Sequence, residues 1–194
     1  MLKTIHRLSN CIARMERMLI RGIAIALPLM ILVNATGRAA RTPIYWMDEL
    51  AILLMVWMAM IGMSLTLKTR DAVSVTMLVD MMPPRAMKAM KILTDILVLA
   101  FGIIVLVLSY RWFDPLALIR AGFDLHAFSG DTFNFIYEDT TNTLGIRKFW
   151  FWLVIPLTAL TTSVHGMSNL IHTLGTPASS IADATAPAAA GTEA

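Results

Sequence analysis

The chain has 194 residues, 57% of them hydrophobic and only 15% charged, and its mean hydropathy is +0.69. Soluble domains carry about 25% charged residues, so this composition excludes an ordinary soluble protein and indicates helices that cross a bilayer. The net charge of +3 does not indicate a nucleic-acid partner, because no soluble domain remains to carry a binding groove, and the single cysteine, Cys11, excludes an internal disulfide.

The predicted fold class is an all-α integral membrane protein with four transmembrane helices and an N-terminal amphipathic interfacial helix. Each span approaches the roughly 20 residues needed to cross about 30 Å of hydrocarbon. Together the spans form a predicted membrane domain over residues 18–172, with an outer loop at 111–148. The four predicted spans are residues 18–36, 44–67, 92–110 and 149–171.

Residues 1–17 are predicted to form the interfacial helix. Apolar residues recur at steps of three and four, from Ile5 through Leu8 to Ile12, with basic residues between them. This pattern favours a helix that lies on the inner leaflet before the chain enters the membrane. A plain basic flank is the alternative. An uncleaved first span is favoured over a signal peptide, because the basic region is long.

The sequence also allows predictions about the chain termini and the outer loop. Lysine and arginine are more frequent on the side that holds both termini, which favours termini in the cytoplasm. In the outer loop, Asp114 followed by Pro115 predicts the start of a short helix, with the acid as N-cap. Residues 173–194 are rich in Ala, Pro, Ser and Thr without periodicity, and are predicted to be a disordered cytoplasmic tail.

Asp48 and Glu49 stand at the predicted start of the second span. Acidic residues are electrostatically favoured at a helix N-terminus, so a well-placed helix start is one interpretation. The alternatives are a contact with a partner protein and a contact with Arg38 or Arg41. Both acids are therefore candidates for a partner interface.

The second span also carries a face of small residues, including Ala59 and Gly62, and a tryptophan at mid-span, Trp57. Small faces let helices approach closely in lipid, where no hydrophobic drive brings helices together. The neighbour of this face is either another span of the chain or another protein, and Trp57 serves either internal packing or an interface. Arg70, at the inner end, completes the candidate partner-interface residues.

Polar residues inside the third and fourth spans are candidates for burial. Asp95 is the lone acid in the third span and shares a helical face with Gly102 and Ser109, so this face should point into protein. The fourth span carries a polar stripe that includes Thr162 and His165, which predicts hydrogen bonds to other helices. For Asp95, an acid that reaches water or a lysine is favoured over an ion or proton relay. For His165, packing is favoured over a metal or haem ligand.

An ordered set of features runs through the second and fourth spans: Asp48-Glu49-Leu50, Trp57, Gly62, Lys68 with Arg70, Pro83, and the segment Leu144 to Leu160 with Ile155-Pro156. In order, spacing and four-span topology, this set resembles the small membrane subunit (DctQ type) of tripartite ATP-independent periplasmic (TRAP) transporters. The resemblance covers most of residues 15–172. Residues 72–76 depart from it, because they lack a histidine and an aspartate that the family often has there.

The resemblance implies a small, non-catalytic scaffold subunit of a TRAP-type secondary transporter in the bacterial inner membrane. It implies two protein partners: a large multi-span subunit with the substrate and sodium sites, and a periplasmic substrate-binding protein. Membrane lipids are the other expected partner, and neither nucleic acid nor a cofactor of this chain is expected. The imported substrate would be an organic acid or a similar small solute, and the acidic outer loop is a candidate docking surface for the binding protein.

Two other functions remain open at this point. A four-helix membrane anchor of a redox complex would need histidine pairs for haem or a quinone pocket. Histidine is absent from the first three predicted spans, and His6 is expected to be solvated. An integral membrane enzyme would need a polar catalytic cluster, and no catalytic, phosphate-binding or metal-binding motif occurs in the sequence. The chain is therefore predicted not to be an enzyme.

Overall fold

A computed structural model describes residues 2–69 and 82–180, without the side chains of residues 2 and 3. Four helical stretches within these ranges are long and apolar enough to cross a membrane: Thr4–Ala39, Tyr45–Thr69, Pro84–Arg120 and Phe149–Gly175. The predicted all-α membrane fold with four spans is confirmed, and the chain is a multi-pass membrane protein. The helices are α1 (Leu2–Ala39), α2 (Tyr45–Thr69), α3 (Pro84–Phe113), α4 (Pro115–Arg120), α5 (Leu125–Thr132), α6 (Phe149–Trp152) and α7 (Val154–Gly175).

One helix, α1, replaces two predicted elements. The interfacial helix of residues 1–17 and the span of residues 18–36 are predicted as separate, whereas α1 runs without a break from one to the other. No proline or glycine lies at the predicted junction. Ala13, Leu27 and Asn34, spaced by multiples of seven, are buried on one face of the continuous helix. The structure therefore has no helix boundary at residue 17, and the same face is buried on both sides of it.

Other boundaries also differ from the predictions. The third long helix begins at Pro84 and not near residue 92, because proline is accepted at the first position of a helix, where its missing N–H has no partner to lose. The last helix continues to Gly175 and buries Thr173, so residues 173–175 belong to the helix and not to the tail. Residues 181–194 of the predicted tail, and the loop 70–81, lie outside the described residues.

The last helix, α7, lies at the centre of the bundle. It packs along α3 and also contacts α2 and α1, while α1 and α2 form a hairpin. We call the end with the α1–α2 turn the outer end and the opposite end the inner end, after the topology predicted from charge. At Gly102 of α3, a Cβ would lie 2.6 Å from Oγ of Ser163, and at Gly166 of α7 it would lie 3.2 Å from Cα of Leu99. Glycine thus allows these two helices to pack closely.

Residues 111–148 fold into a cap on the outer end. The predicted short helix is confirmed as α4, and the side chain of Asp114 accepts a hydrogen bond from the backbone N–H of Ala117 at 3.1 Å. The phenol of Tyr137 donates a hydrogen bond to the carbonyl of Phe113 at 2.7 Å. Tyr137 and Phe113 belong to the small, mainly aromatic core of the cap, which also contains Phe128 and Ile136.

Candidate functional site

A buried carboxylate on α1 faces a buried histidine on α7. Glu16 is 5% exposed, and His165 is fully buried. Nδ1 of His165 lies 2.8 Å from Oγ of Ser9, and Nε2 lies 3.2 Å from Oε2 of Glu16. Each ring nitrogen therefore has a polar partner, as buried polar groups require.

The same carboxylate reaches the second helix. Ser64 on α2 donates a hydrogen bond to Oε1 of Glu16 at 2.8 Å, and its hydroxyl lies 2.8 Å from that of Thr161 on α7. Breaking one contact of such a network leaves a desolvated polar group, so the network holds the three helices in one arrangement. We call this set the buried network: Ser9, Glu16, Ser64, Thr161 and His165.

A serine, a histidine and an acid in contact also occur in hydrolases. Serine catalysis needs a nucleophile that a substrate can reach and donors for an oxyanion. Ser9 is completely buried between helices, so its hydroxyl is closed to a substrate. The buried network therefore supports a structural role.

Sequence reasoning identifies His165 as a buried polar residue but misses its partners on α1. The amphipathic pattern of residues 1–17 favours the membrane surface over contact with another helix. One signal was present: Glu16 is the only acidic residue before Asp48, and it lies at helical spacing from Ser9 and Ala13. A lone acid on the small-residue face of a basic helix indicates a partner inside the protein.

The two other predicted buried polar residues also lie against or within α7. Asp95 on α3 is 4% exposed, and Thr173 donates a hydrogen bond to its Oδ2 at 2.7 Å. Thr162 is buried, and among residues 2–69 and 82–180 its hydroxyl has no hydrogen-bond partner. Thr173 lies about two helical turns beyond His165. Glu16 and Asp95 therefore contact the central helix α7 at two positions about two turns apart.

His6 and His172 meet at the inner end. Their ring centroids are 6.4 Å apart with the rings stacked, and Nδ1 of His6 lies 3.3 Å from Oγ of Ser168. His6 is exposed, as predicted, but it is not without contacts, because the continuous α1 carries it alongside α7. Stacked imidazoles face each other with their ring planes, so they do not direct two nitrogens at one metal ion.

Asp48, at the start of α2, is bound within the chain. Its two oxygens contact the side chains of Asn34 and Arg38, both on α1. Asn34 is buried, and its amide oxygen also accepts a hydrogen bond from the backbone N–H of Ile44 at 3.3 Å. The structure shows the contact with Arg38, and it also places Asp48 in the first turn of α2, as the helix-start interpretation expects.

Glu49 fastens the outer cap to α2. Its carboxylate accepts hydrogen bonds from the backbone N–H groups of Asn142, Thr143 and Leu144 at 2.7, 2.7 and 3.2 Å. The hydroxyl of Thr143 donates a further hydrogen bond at 2.6 Å. Successive backbone amides that point at one anion form a nest, which favours the carboxylate. Asp48 and Glu49 are adjacent but hold different elements, the first α1 and the second the cap.

Trp57 binds the start of the last span. Its Nε1 donates a hydrogen bond to the carbonyl of Phe151 at 2.9 Å. This carbonyl belongs to the last turn before the break at Leu153 between α6 and α7. The indole therefore supplies a donor at a point where the helix is interrupted, which is an internal role.

Ala59 and Gly62 face away from the rest of the described chain. Ala59 is exposed, and a Cβ on Gly62 would meet no atom within 4 Å. Ile52 and Thr66 are exposed on the same side of the helix. We call Ile52, Ala59, Gly62 and Thr66 the open face of α2. Arg70, the remaining candidate, lies outside the described residues.

Comparison with known proteins identifies a family for this chain. A family model described as the DctQ component of tripartite ATP-independent periplasmic transporters matches residues 27–176. The match extends from the middle of α1 to just beyond α7. A comparison with curated proteins gives no match. Because the family match covers well over half of a chain with four membrane-spanning helices, the protein belongs to the DctQ family and is the small membrane component of a TRAP transporter.

Proposed function

We propose that this chain is the fixed scaffold subunit of its transporter. It pairs with a large multi-span membrane subunit, which carries the sodium and substrate sites, and a periplasmic binding protein delivers the substrate. The substrate is an organic acid or a similar small solute. The complex lies in the bacterial inner membrane with both termini of this chain in the cytoplasm, as the charge distribution favours.

The open face of α2 is the observation that carries this proposal. The opposite side of the helix is held by Ser64 in the buried network and by Trp57 at α7. The open face instead carries Ala59 and Gly62 on the outside of the bundle, with no atom of the described chain within 4 Å of a Cβ at Gly62. Small residues allow the close helix approach that stabilises association in lipid. A helix of the large subunit would pack closely against this open face.

The polar contacts support a scaffold that does not move. The buried network ties α1, α2 and α7 together, and Asp95 adds α3 through Thr173. Each contact satisfies a buried polar group, and a rearrangement would expose it to an apolar environment at a cost of about 1–3 kcal/mol. A fixed subunit of this kind would widen the anchored part of a transporter while the large subunit undergoes the transport movement.

The test is a pull-down of the tagged chain from membranes that contain its native partners. We expect a stoichiometric large multi-span protein with the wild type, and its loss with Gly62→Leu, because leucine would hold the partner helix away. Gly22→Leu is the matched control, since Gly22 is an exposed glycine of α1 that also meets no atom within 4 Å. An unchanged complex with Gly62→Leu and with Ala59→Leu would contradict the interface. A haem- or flavin-bearing partner would contradict the function and favour the redox anchor.

A further inference from the structure

A narrow slot opens between α1 and α2 near their outer ends. Its volume is about 150 Å³, and an apolar cavity of roughly this size binds a group as large as benzene. Ala35 on α1 and Ala51 on α2 leave the space, because their side chains are short. Met30, Ile31 and Met47 complete its apolar wall. The slot therefore suits a flexible hydrocarbon chain.

The mouth of the slot is polar and carries both signs of charge. Asn34, Arg38 and Asp48 line it. Arg38 and Asp48 contact each other, yet their side chains remain 58% and 46% exposed. A guanidinium has five N–H donors and a carboxylate about four acceptor sites, so both keep hydrogen-bonding capacity for a ligand. Arg41 does not line the slot, but it lies three residues after Arg38 in the adjoining turn and is exposed, so a second guanidinium is present at the same end of the hairpin.

Aromatic residues place this mouth at the membrane surface. Tyr45 and Trp46 begin α2 and are 67% and 43% exposed. Tyrosine and tryptophan concentrate at the level of the lipid head groups. Met30 lies about two helical turns deeper along α1 than Arg38. The slot therefore runs from the head-group level into the hydrocarbon.

We propose that this slot binds a zwitterionic phospholipid with a primary ammonium, of the phosphatidylethanolamine class. The ammonium donates hydrogen bonds to Asp48, the phosphate accepts them from Arg38 and Arg41, and one acyl chain fills the slot between Ala35 and Ala51. Each charge of the head group meets the opposite charge on the protein. Charge-assisted hydrogen bonds of this kind are about twice as strong as neutral ones.

The site distinguishes this lipid from the other common classes. Phosphatidylcholine has no N–H on its ammonium, so it cannot donate a hydrogen bond to Asp48. Phosphatidylglycerol brings no positive charge and places its phosphate beside the carboxylate. The proposal does not rest on the transport function, because it needs only the α1–α2 hairpin and a bilayer.

Native mass spectrometry of the full-length protein, with any subunit that co-purifies, tests the proposal. Bound lipid is counted after adding phosphatidylethanolamine, phosphatidylcholine or phosphatidylglycerol. Ala51→Phe fills the slot, and Arg41→Gln removes one phosphate donor at an exposed position. Ala24→Phe is the matched control, because Ala24 is exposed on α1 and does not line the slot.

We expect the wild type and Ala24→Phe to retain phosphatidylethanolamine in preference to the other two lipids. Ala51→Phe loses it, and Arg41→Gln retains it about tenfold less strongly, because one charge-assisted hydrogen bond is removed. Asp48→Asn removes the preference over phosphatidylcholine. The proposal is overturned if the wild type retains all three lipids equally, if Ala51→Phe and Arg41→Gln both retain as much as the wild type, or if cross-linking places another subunit's side chain in the slot.

Discussion

The carboxylate of Glu16 and the imidazole of His165 form a buried contact of 3.2 Å between residues that stand 149 positions apart in the sequence. Ser9 binds the other nitrogen of the same ring. These contacts hold the first half of α1 against the middle of α7. The segment predicted to lie on the membrane surface is therefore part of the helical bundle, and its removal would expose a buried histidine.

Glu16→Ala is expected to destabilise the bundle by about 1–3 kcal/mol, because Nε2 of His165 and the hydroxyl of Ser64 would lose an acceptor inside the protein. Thermal unfolding in detergent, followed by tryptophan fluorescence, measures the change. Glu16→Gln keeps a carbonyl acceptor and should lie between the wild type and Glu16→Ala. Met15→Ala is the control, since Met15 is 57% exposed on the same helix. Equal unfolding of Glu16→Ala and Met15→Ala would contradict a stabilising role.

Gly102→Val is expected to destabilise the α3–α7 contact. A Cβ at Gly102 would lie 2.6 Å from Oγ and 3.1 Å from the backbone N of Ser163. The hydroxyl can rotate away but the backbone cannot, and overpacking of this kind costs about 1–3 kcal/mol. Gly22→Val, at an open position of α1, should cost nothing and gain a few tenths of a kcal/mol from helix propensity. The same unfolding measurement compares them, and equal stability of the two variants would show that the helices do not approach as closely as described.

The buried face of α3 could be predicted from the sequence. Asp95, Gly102 and Ser109 recur at steps of seven, and the structure buries all three. A bilayer sets the length of a span, so hydropathy alone locates the four long helices. A helical period also fixes which residues share a face. Both hydropathy and periodicity depend on residues that are close together in the chain, so a single sequence is enough to detect them.

The partners of the polar residues could not be predicted, because packing between distant segments sets them. Glu49 has the pattern of a favourable helix start, but its hydrogen bonds reach residues 142–144 in the cap. The pattern around Glu16 is equally compatible with a membrane surface and with a helix interface. Periodicity tells which residues share a face, and it does not tell what covers that face.

Glu49→Gln is expected to loosen the cap where it meets α2. The amide keeps the shape of the side chain but loses the charge that draws the N–H groups of Asn142, Thr143 and Leu144 to one point. Hydrogen exchange of residues 140–147 should become about tenfold faster, because charge-assisted hydrogen bonds are replaced by weaker ones. Asp131→Asn removes an exposed acid elsewhere in the cap and should leave this exchange unchanged. Unchanged exchange with Glu49→Gln would show that Glu49 does not fasten the cap.

The cap is expected to lose stability at alkaline pH, because the phenol of Tyr137 ionises there. Burial raises the pKa of its phenol, and the nearby carboxylate of Asp114 raises this pKa further. A group whose pKa is raised on folding contributes its full stability below its unfolded pKa, about 10 for tyrosine, and loses it as the pH rises through the folded value. The ionised phenol can no longer donate its hydrogen bond to the carbonyl of Phe113.

Tyr137→Phe should therefore be less stable than the wild type near neutral pH, by about 1 kcal/mol for the lost hydrogen bond. This difference should shrink as the pH rises above about 10, because only the wild type then has to keep a phenol protonated. Thermal unfolding of both proteins over this range measures the difference, with Tyr110→Phe as a control at an exposed tyrosine. A stability difference that stays constant with pH would mean that the phenol of Tyr137 is not held in its neutral, hydrogen-bonded form by the fold.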